Sequence, residues 1–156
     1  MKKGVTIFII FVLIGISSFF LYQRALKQAT YVGLPTVPCI DETLPIVQQY
    51  TITIRIIIHG QLYPLSPAIG HDYGNCLHDI YTSSANGTVH IRANDNESFT
   101  LGQFFDVWHK AFTKDQIITY QTGKSHHITV VVNNKTVATY RSTPLVKHDT
   151  ITISYW

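Results

Sequence analysis

The chain has 156 residues, 46% of them hydrophobic and 13% charged, and a formal net charge of +3 at pH 7. Four of its cations lie near the N-terminus, and the part from about residue 31 onward has eight basic and nine acidic residues, a net charge of −1. Because no cluster of Lys or Arg follows the N-terminal segment, the composition excludes a nucleic acid as an expected partner.

The first predicted element is an uncharged run of eighteen residues, Val5–Tyr22, preceded by Lys2 and Lys3. As a helix it would extend roughly 27 Å, enough to cross the hydrocarbon core of a bilayer. A cleaved signal peptide is the alternative, but the run is too long and no pair of small residues marks a cleavage site. A buried core helix is disfavoured because the run is apolar on every side. Residues 1–28 are therefore predicted to form a cytoplasmic tip and a transmembrane signal anchor.

The rest of the chain is predicted to lie outside the cell membrane, which the chain crosses once. Residues 29–48 read as a linker and leading loop, and residues 49–156 as one extracytoplasmic domain. Both cysteines, Cys39 and Cys76, lie beyond the anchor. An isolated pair in an oxidising compartment usually forms a disulfide, which is the favoured interpretation. Two free thiols, or a copper or zinc site, are the alternatives, and the pair lacks the C-x-x-C spacing of a metal signature.

The first half of the domain is predicted to form strands. Alternating Thr and Ile residues indicate a strand over Tyr50–Ile58, followed by a turn at His59-Gly60. A short edge strand interrupted by proline is expected over Leu62–Ile69. Two more strands are predicted, at Leu77–Thr82 and Thr88–Ala93.

One soluble helix is predicted, over Leu101–Phe112. Its start is marked by Thr100 and Gln103, which have the spacing of a capping box. Apolar side chains recur along it at steps of three and four residues, as in an amphipathic helix. We expect this aromatic stripe to be core rather than a platform for a ligand. Its members are Leu101, Phe104, Phe105, Trp108 and Phe112.

The remaining segments predict a return to strands. They lie at Gln116–Gln121, His127–Val132, Thr136–Arg141 and Thr150–Trp156, and Asn133-Asn134 is suited to a hairpin turn. Tyr155-Trp156 is expected either to lie near lipid headgroups or to pack in the last strand. The predicted fold class is α+β, mostly β: an N-terminal transmembrane helix followed by a compact β-rich domain of about eight strands and one helix.

Eight histidines are the unusual feature of the composition. Imidazole is the commonest ligand for copper and zinc, and a neighbouring carboxylate can orient it. The four candidate metal ligands are His90, His148, His71 and His78. The favoured alternative is that they are surface or hydrogen-bonded loop histidines, because the sequence contains no H-x-H, H-x-x-H or H-x₃-H pair. Among the eight, His90 is expected to be the most buried because it lies in the middle of a predicted strand.

Signatures of catalysis are weak, and the chain is not expected to be an enzyme. It contains no G-x-S-x-G motif and no glycine-rich phosphate loop. Asp95 and Glu97 could form a carboxylate pair, but they lie in an Asn/Asp-rich turn typical of a solvated loop. Cys76 and its neighbour His78 are better explained by a disulfide than by a nucleophile and base.

From Cys39 to the C-terminus the chain resembles a family of exported or membrane-anchored domains found in archaea, notably ammonia oxidisers, and in some bacteria. The most specific match is the string FTLGQFFDVW at Phe99–Trp108, supported by Cys76, Gly87 and His90. His148-Asp149-Thr150-Ile151 matches a late H-D-x-I element. The family has no firmly assigned activity, and its many histidines imply metal binding.

This sequence departs from the family at most of those histidines. The H-x-H-x-H positions are occupied by Gln49, Thr51 and Thr53, and H-T-H-D is replaced by Tyr81-Thr82-Ser83-Ser84. Because Gln, Thr and Ser bind transition metals poorly, loss of a family metal site is expected.

Two functions follow from the sequence. The first is a single-pass membrane-anchored module that binds a protein partner, with an accessory subunit of a membrane copper enzyme as a candidate. It would need no cofactor. The second is a periplasm-side protein that binds or delivers copper or zinc.

Overall fold

The computed structural model describes residues 37–72 and 74–156. The predicted anchor, Val5–Tyr22, lies outside the described residues, as do residues 1–28 and the first part of the predicted linker. Within the described part of the chain, every helix is too short or too polar to cross a membrane.

A long central strand, β1 (Gln48–Ile58), organises the domain. Its alternating sequence places Ile52, Ile54 and Ile56 on a fully buried face, with at most 2% of each side chain exposed. Thr51 and Arg55, on the opposite face, are exposed. This period of two is the pattern of a strand with one face toward the core, so the strand prediction is confirmed.

Seven strands form the main sheet, in the order β10-β9-β11-β1-β6-β5, with β2 also paired to β1. The pairing of β1 with β11 is parallel, and the other pairings are antiparallel. The two remaining hairpins are β3–β4 and β7–β8. The further strands are β2 (Gln61–Tyr63), β3 (His71–Asp72), β4 (Cys76–Leu77), β5 (Ile80–Tyr81), β6 (Thr88–Ala93), β7 (Gln116–Ile117), β8 (Tyr120–Gln121), β9 (Ile128–Val132), β10 (Lys135–Val137) and β11 (Thr150–Tyr155).

Several strands are shorter than the sequence predicts, so eleven strands replace the expected eight in the described residues. The segment Leu62–Ile69 is a strand only as far as Tyr63, after which Pro64 and Pro67 interrupt it. Gln116–Gln121 bends into a hairpin because Ile118 takes a left-handed conformation, with φ of 56°. Thr136–Arg141 ends as a strand at Val137 and continues into a 3-10 turn, Tyr140–Ser142.

The α-helix of the described residues, α1, spans Leu101–Val107 and begins with the predicted capping box. It ends earlier than predicted because His109 takes a left-handed φ of 54°. The amides of His109 and Lys110 donate to the carbonyls of Asp106 and Phe105, both at 3.0 Å, which closes the last turn as a Schellman motif. The helix is therefore seven residues long, and Phe112 follows it in a loop.

The core lies on one face of the main sheet. Side chains from that face and from α1 form one hydrophobic cluster, in which Phe104, Phe105 and Phe112 are fully buried and Trp108 is 9% exposed. The Phe105 and Phe112 rings stack with centroids 4.4 Å apart. The aromatic stripe is core, as predicted. In the last strand Tyr155 is buried, whereas half of Trp156 is exposed.

The opposite face of the sheet is polar. Thr53 pairs with Thr88 on one side and with Thr150 on the other, so three threonines lie side by side across three strands. None of the three is buried, which is typical of a sheet face that meets solvent. We call this surface the outer face.

The predicted disulfide joins Cys39 to Cys76, with Cα atoms 5.4 Å apart. It holds residues 37–40 against the β3–β4 hairpin, where the Ile40 amide donates to the Leu77 carbonyl at 2.8 Å. Val37 is 2% exposed. The segment before β1 is therefore packed on the domain from Val37 onward.

Candidate functional site

The four histidines predicted as metal ligands lie at three separate places. His71 and His90 flank the ring of Tyr81, with centroids 6.1 Å and 5.0 Å from it. His148 lies in the loop before β11, where its amide donates to the Thr51 carbonyl at 3.1 Å. His78 is buried beside the disulfide. Among the described residues, these four side chains do not form one ligand group.

His90 is not the most buried histidine, which corrects the prediction. In β6 the apolar residues Val89, Ile91 and Ala93 are fully buried, so the alternate residue His90 lies on the outer face and is only half-buried. Its ring stacks on Tyr81 and its Nε2 lies 3.1 Å from Ser83 Oγ. His78, which is 5% exposed, is the buried member of the set.

The positions at which the family resemblance expects histidines come together on the outer face. Thr51 lies opposite His90 in the pairing of β1 with β6, and Tyr81 lies opposite His90 in the pairing of β5 with β6. Ser83 contacts His90 directly. These neighbours offer hydroxyl groups in place of imidazoles, and hydroxyls are poor ligands for transition metals. The part of the outer face around His90 is therefore polar.

A second cluster surrounds His78 and includes residues that sequence analysis did not connect. The His78 ring is held at both nitrogens: Nδ1 lies 2.8 Å from the carbonyl oxygen of Val37, and Nε2 lies 3.0 Å from Oδ2 of Asp72. Asp72 also accepts a hydrogen bond from Nε2 of His109, at 3.3 Å to Oδ1. Nε2 of His78 is in addition 3.6 Å from Sγ of Cys76. Two histidines, one carboxylate and the disulfide thus form one connected group.

The charge of this group follows from its hydrogen bonds. The hydrogen bond from His78 is the main reason that the pKa of Asp72 lies below its ordinary value, partial burial opposes it, and His109 adds to the lowering. The ionised carboxylate of Asp72 thus lies between the rings of His78 and His109. The ring of His78 is buried against this carboxylate, whose own side chain is 34% exposed.

A surface cavity opens beside this cluster, with a volume of about 550 Å³. His71, Asp72 and His109 contribute the polar part of its wall, and Tyr63 and Trp108 contribute an apolar part. The cavity is large enough for a small molecule. It gives solvent access to the Asp72 side of the cluster.

Asp79, the residue after His78, is a buried carboxyl group that the sequence does not single out. It is 3% exposed, and its Oδ1 has no hydrogen-bond partner among the described residues. Burial raises the pKa of Asp79 to about 6, with further contributions from the charges of Asp95 and Glu97 and a small opposing one from His78. Near neutral pH the fold therefore contains a buried, poorly solvated charge.

Replacing this carboxyl group gives a pH-dependent prediction. Because the pKa is higher in the folded state, the folded state binds more protons between about pH 4 and pH 6, and stability falls as the pH rises through that interval. We expect Asp79→Asn to raise the free energy of unfolding at pH 7.5 by about 2–3 kcal/mol and to remove this dependence. Urea unfolding of the full chain at several pH values measures both effects. Asp115→Asn, at an exposed carboxylate, is the matched control and should change neither.

Comparison of the chain with protein-family models, curated proteins and solved structures gives no match.

Proposed function

We propose that this chain is a membrane-anchored extracytoplasmic module that binds a protein partner, as an accessory subunit of a larger membrane assembly such as a copper enzyme. Two features support the location: the uncharged run Val5–Tyr22 and the Cys39–Cys76 disulfide, which is typical of oxidising compartments. The domain acts as a rigid scaffold, and its outer face is the contact surface.

The observation that carries this proposal is an exposed apolar area on the outer face. Leu62 of β2 is 68% exposed and lies opposite Ile57 of β1 in the antiparallel register. Both line a depression of about 450 Å³ together with Arg55 and the loop that contains Asn86 and Gly87. An apolar patch rimmed by polar groups is the usual composition of a protein-binding surface.

The depression exists because of the way β1 pairs. On the same edge of β1, β6 pairs with Gln48–Thr53 and β2 pairs with Ile56–Ile58. The two partners leave a break at the middle of the strand, where the Ile54 amide is satisfied by the Gly87 carbonyl at 2.8 Å. A side chain from a partner protein can enter this break without disturbing a strand pairing.

The chemistry of the surrounding surface also supports protein binding. The residues that replace the family histidines are neutral and carry hydroxyl or amide groups, which pair readily with peptide groups and bind metals weakly. Thr51 and Thr53 lie on the same face of β1 as Arg55 and Ile57. The polar part and the apolar part therefore form one continuous surface.

The test is co-purification of the full-length chain from native membranes. We expect Leu62→Arg to reduce the yield of its specific partner at least about tenfold, because a buried charge replaces an apolar anchor. Leu44→Arg is the matched control, since Leu44 is also exposed, at 53%, but lies in the loop before β1. This variant should retain the partner.

Two results would contradict the proposal. If gentle extraction releases the wild-type chain from the membrane without any partner protein, a binding function in a complex is wrong. If Leu62→Arg and Leu44→Arg retain the same partner equally, the outer face is not the contact surface. Far-ultraviolet circular dichroism of both variants shows that the fold is unchanged.

A further inference from the structure

Three groups that can bind a metal ion meet at the disulfide. One ligand atom from each of Cys39, Cys76 and His78 lies within 4.8 Å of the others. In the described part of the chain no other set of three His, Cys, Asp or Glu residues meets this spacing. Two cysteines and a histidine are ligands that zinc and monovalent copper prefer.

The histidine is already oriented as a metal ligand would be. Nδ1 of His78 lies 2.8 Å from the Val37 carbonyl oxygen, which can only accept, so Nδ1 carries a proton and Nε2 is the nitrogen that faces the sulfur atoms. Histidines that bind metals commonly donate their other N–H to a backbone carbonyl in this way. Burial of the ring, at 5% exposure, fixes its direction.

Asp72 adjoins this cluster but is not one of the three groups whose ligand atoms lie within 4.8 Å of one another. Its Oδ2 lies 3.0 Å from Nε2 of His78, and only 34% of its side chain is exposed. Its other oxygen, Oδ1, is held by His109 at 3.3 Å. Two thiolates and an imidazole satisfy Cu⁺, and they leave one position of the tetrahedral shell that Zn²⁺ adopts open to water.

We propose that reduction of the Cys39–Cys76 disulfide converts this cluster into a site for a thiolate-seeking metal ion, Zn²⁺ or Cu⁺. An external dithiol supplies two electrons: the S–S bond breaks, two thiols form, and the dithiol is oxidised to its own disulfide. The two thiols lose their protons when the ion binds, and His78 binds it through Nε2. The disulfide then acts as the closed, metal-free state of the site.

Accessibility supports this exchange. Cys39 is exposed and Cys76 is half-buried, so a reductant can reach the bond from solvent. The pairing of β3 with β4 and the hydrogen bond from the Ile40 amide to Leu77, at 2.8 Å, are further contacts that hold both cysteine-bearing segments. The ligand set differs from the four separated histidines, and the proposal does not depend on the protein-binding function.

The experiment uses the full-length chain without a polyhistidine tag, reduced with a phosphine that offers no competing thiol. Co²⁺ serves as a coloured substitute for Zn²⁺, and Cu⁺ is titrated against a chromophoric competitor. We expect one equivalent of Co²⁺ to produce a sulfur-to-cobalt charge-transfer band in the near ultraviolet, and the oxidised chain to produce none. The surface histidines offer no sulfur, so this band reports only the proposed site.

Variants at His78 and His109 distinguish a residue that binds the metal ion from one that only lies near the site. His78→Asn, whose amide can still donate to the Val37 carbonyl, should weaken Co²⁺ binding at least about tenfold. His109→Ala is the matched control, because His109 shares Asp72 but contacts no sulfur, and it should bind Co²⁺ with nearly wild-type affinity.

The proposal is overturned if the reduced wild-type chain gives no charge-transfer band with Co²⁺ and binds Cu⁺ no more tightly than Cys39→Ser/Cys76→Ser. It is also overturned if His78→Asn, folded as judged by near-ultraviolet circular dichroism, binds both ions with wild-type affinity. If His78→Asn fails to fold, a loss of binding when the wild-type chain is reoxidised, reversed by the phosphine, supports the site, and unchanged binding after reoxidation overturns it.

Discussion

Removing the Cys39–Cys76 disulfide is expected to lower the free energy of unfolding of the domain by about 4 kcal/mol. The bond closes a loop with a sequence separation of 37 residues, and the loss of loop-closure entropy in the unfolded chain gives this value. It is a large fraction of the stability of an ordinary domain. We therefore expect a marked shift of the denaturation midpoint.

Urea unfolding of the full-length chain, oxidised and reduced, measures the effect, and Cys39→Ser/Cys76→Ser reproduces it without a reductant. Asn133→Ser is the control, because Asn133 lies in a turn remote in sequence from both cysteines. Reduction should lower the free energy of unfolding of this variant as much as it lowers that of the wild-type chain. Equal midpoints for the oxidised and reduced chains would show that the unfolded chain gains no freedom when the bond is broken. If metal binds the reduced site, one equivalent of Zn²⁺ should raise the midpoint of the reduced wild-type chain and not that of the serine variant.

Gly87→Ala is expected to destabilise the domain by about 3–4 kcal/mol, through backbone strain and steric overlap together. Gly87 has φ of +91°, a conformation that residues with a Cβ rarely adopt. A Cβ placed there would lie 2.7 Å from the carbonyl oxygen of Ile54. Relief of that contact would stretch the hydrogen bond from the Ile54 amide to the Gly87 carbonyl, at the break between β2 and β6.

Gly60→Ala separates the two causes. Gly60 also has a positive φ, of +77°, but a Cβ there would meet no atom within 4 Å. We expect this variant to lose only about 1 kcal/mol, the backbone term alone. Urea denaturation of both variants provides the measurement. Equal losses for Gly60→Ala and Gly87→Ala would contradict the steric argument.

The strands with a clear period of two could be predicted from sequence. Tyr50–Ile58 and Thr88–Ala93 were located to within two residues because their apolar residues alternate with polar ones. The capping box at Thr100 fixed the start of α1. These signals are local, so one stretch of sequence contains all the information that they need.

The face of β6 on which His90 lies could also be predicted from sequence. In the alternating pattern of this strand the apolar residues are Val89, Ile91 and Ala93, which places His90 on the opposite face. The prediction relied on its central position along the strand, and position along a strand says nothing about the face. The end of α1 has no comparable signal, because a histidine at position 109 does not by itself predict a left-handed conformation.

The cluster at His78 could be predicted only in part. Cys76 and His78 are two residues apart in an extended segment, which places both side chains on one face and is a signal available from sequence. The contacts with Val37, Asp72 and His109 join segments that are up to 41 residues apart. Such contacts depend on how the disulfide, the β3–β4 hairpin and the end of α1 pack together, which no local pattern contains.

The parallel pairing of β1 with β11 sets the order in which the domain can assemble. β11 lies between β1 and β9, so the β9–β10 hairpin joins the other strands only through it. Because the chain is synthesised from its N-terminus, β1 is made well before Thr150–Tyr155. The edge of β1 along Thr53–Ile58 therefore stays open until β11 has been made, and a chaperone that shields exposed strand edges would act during that interval.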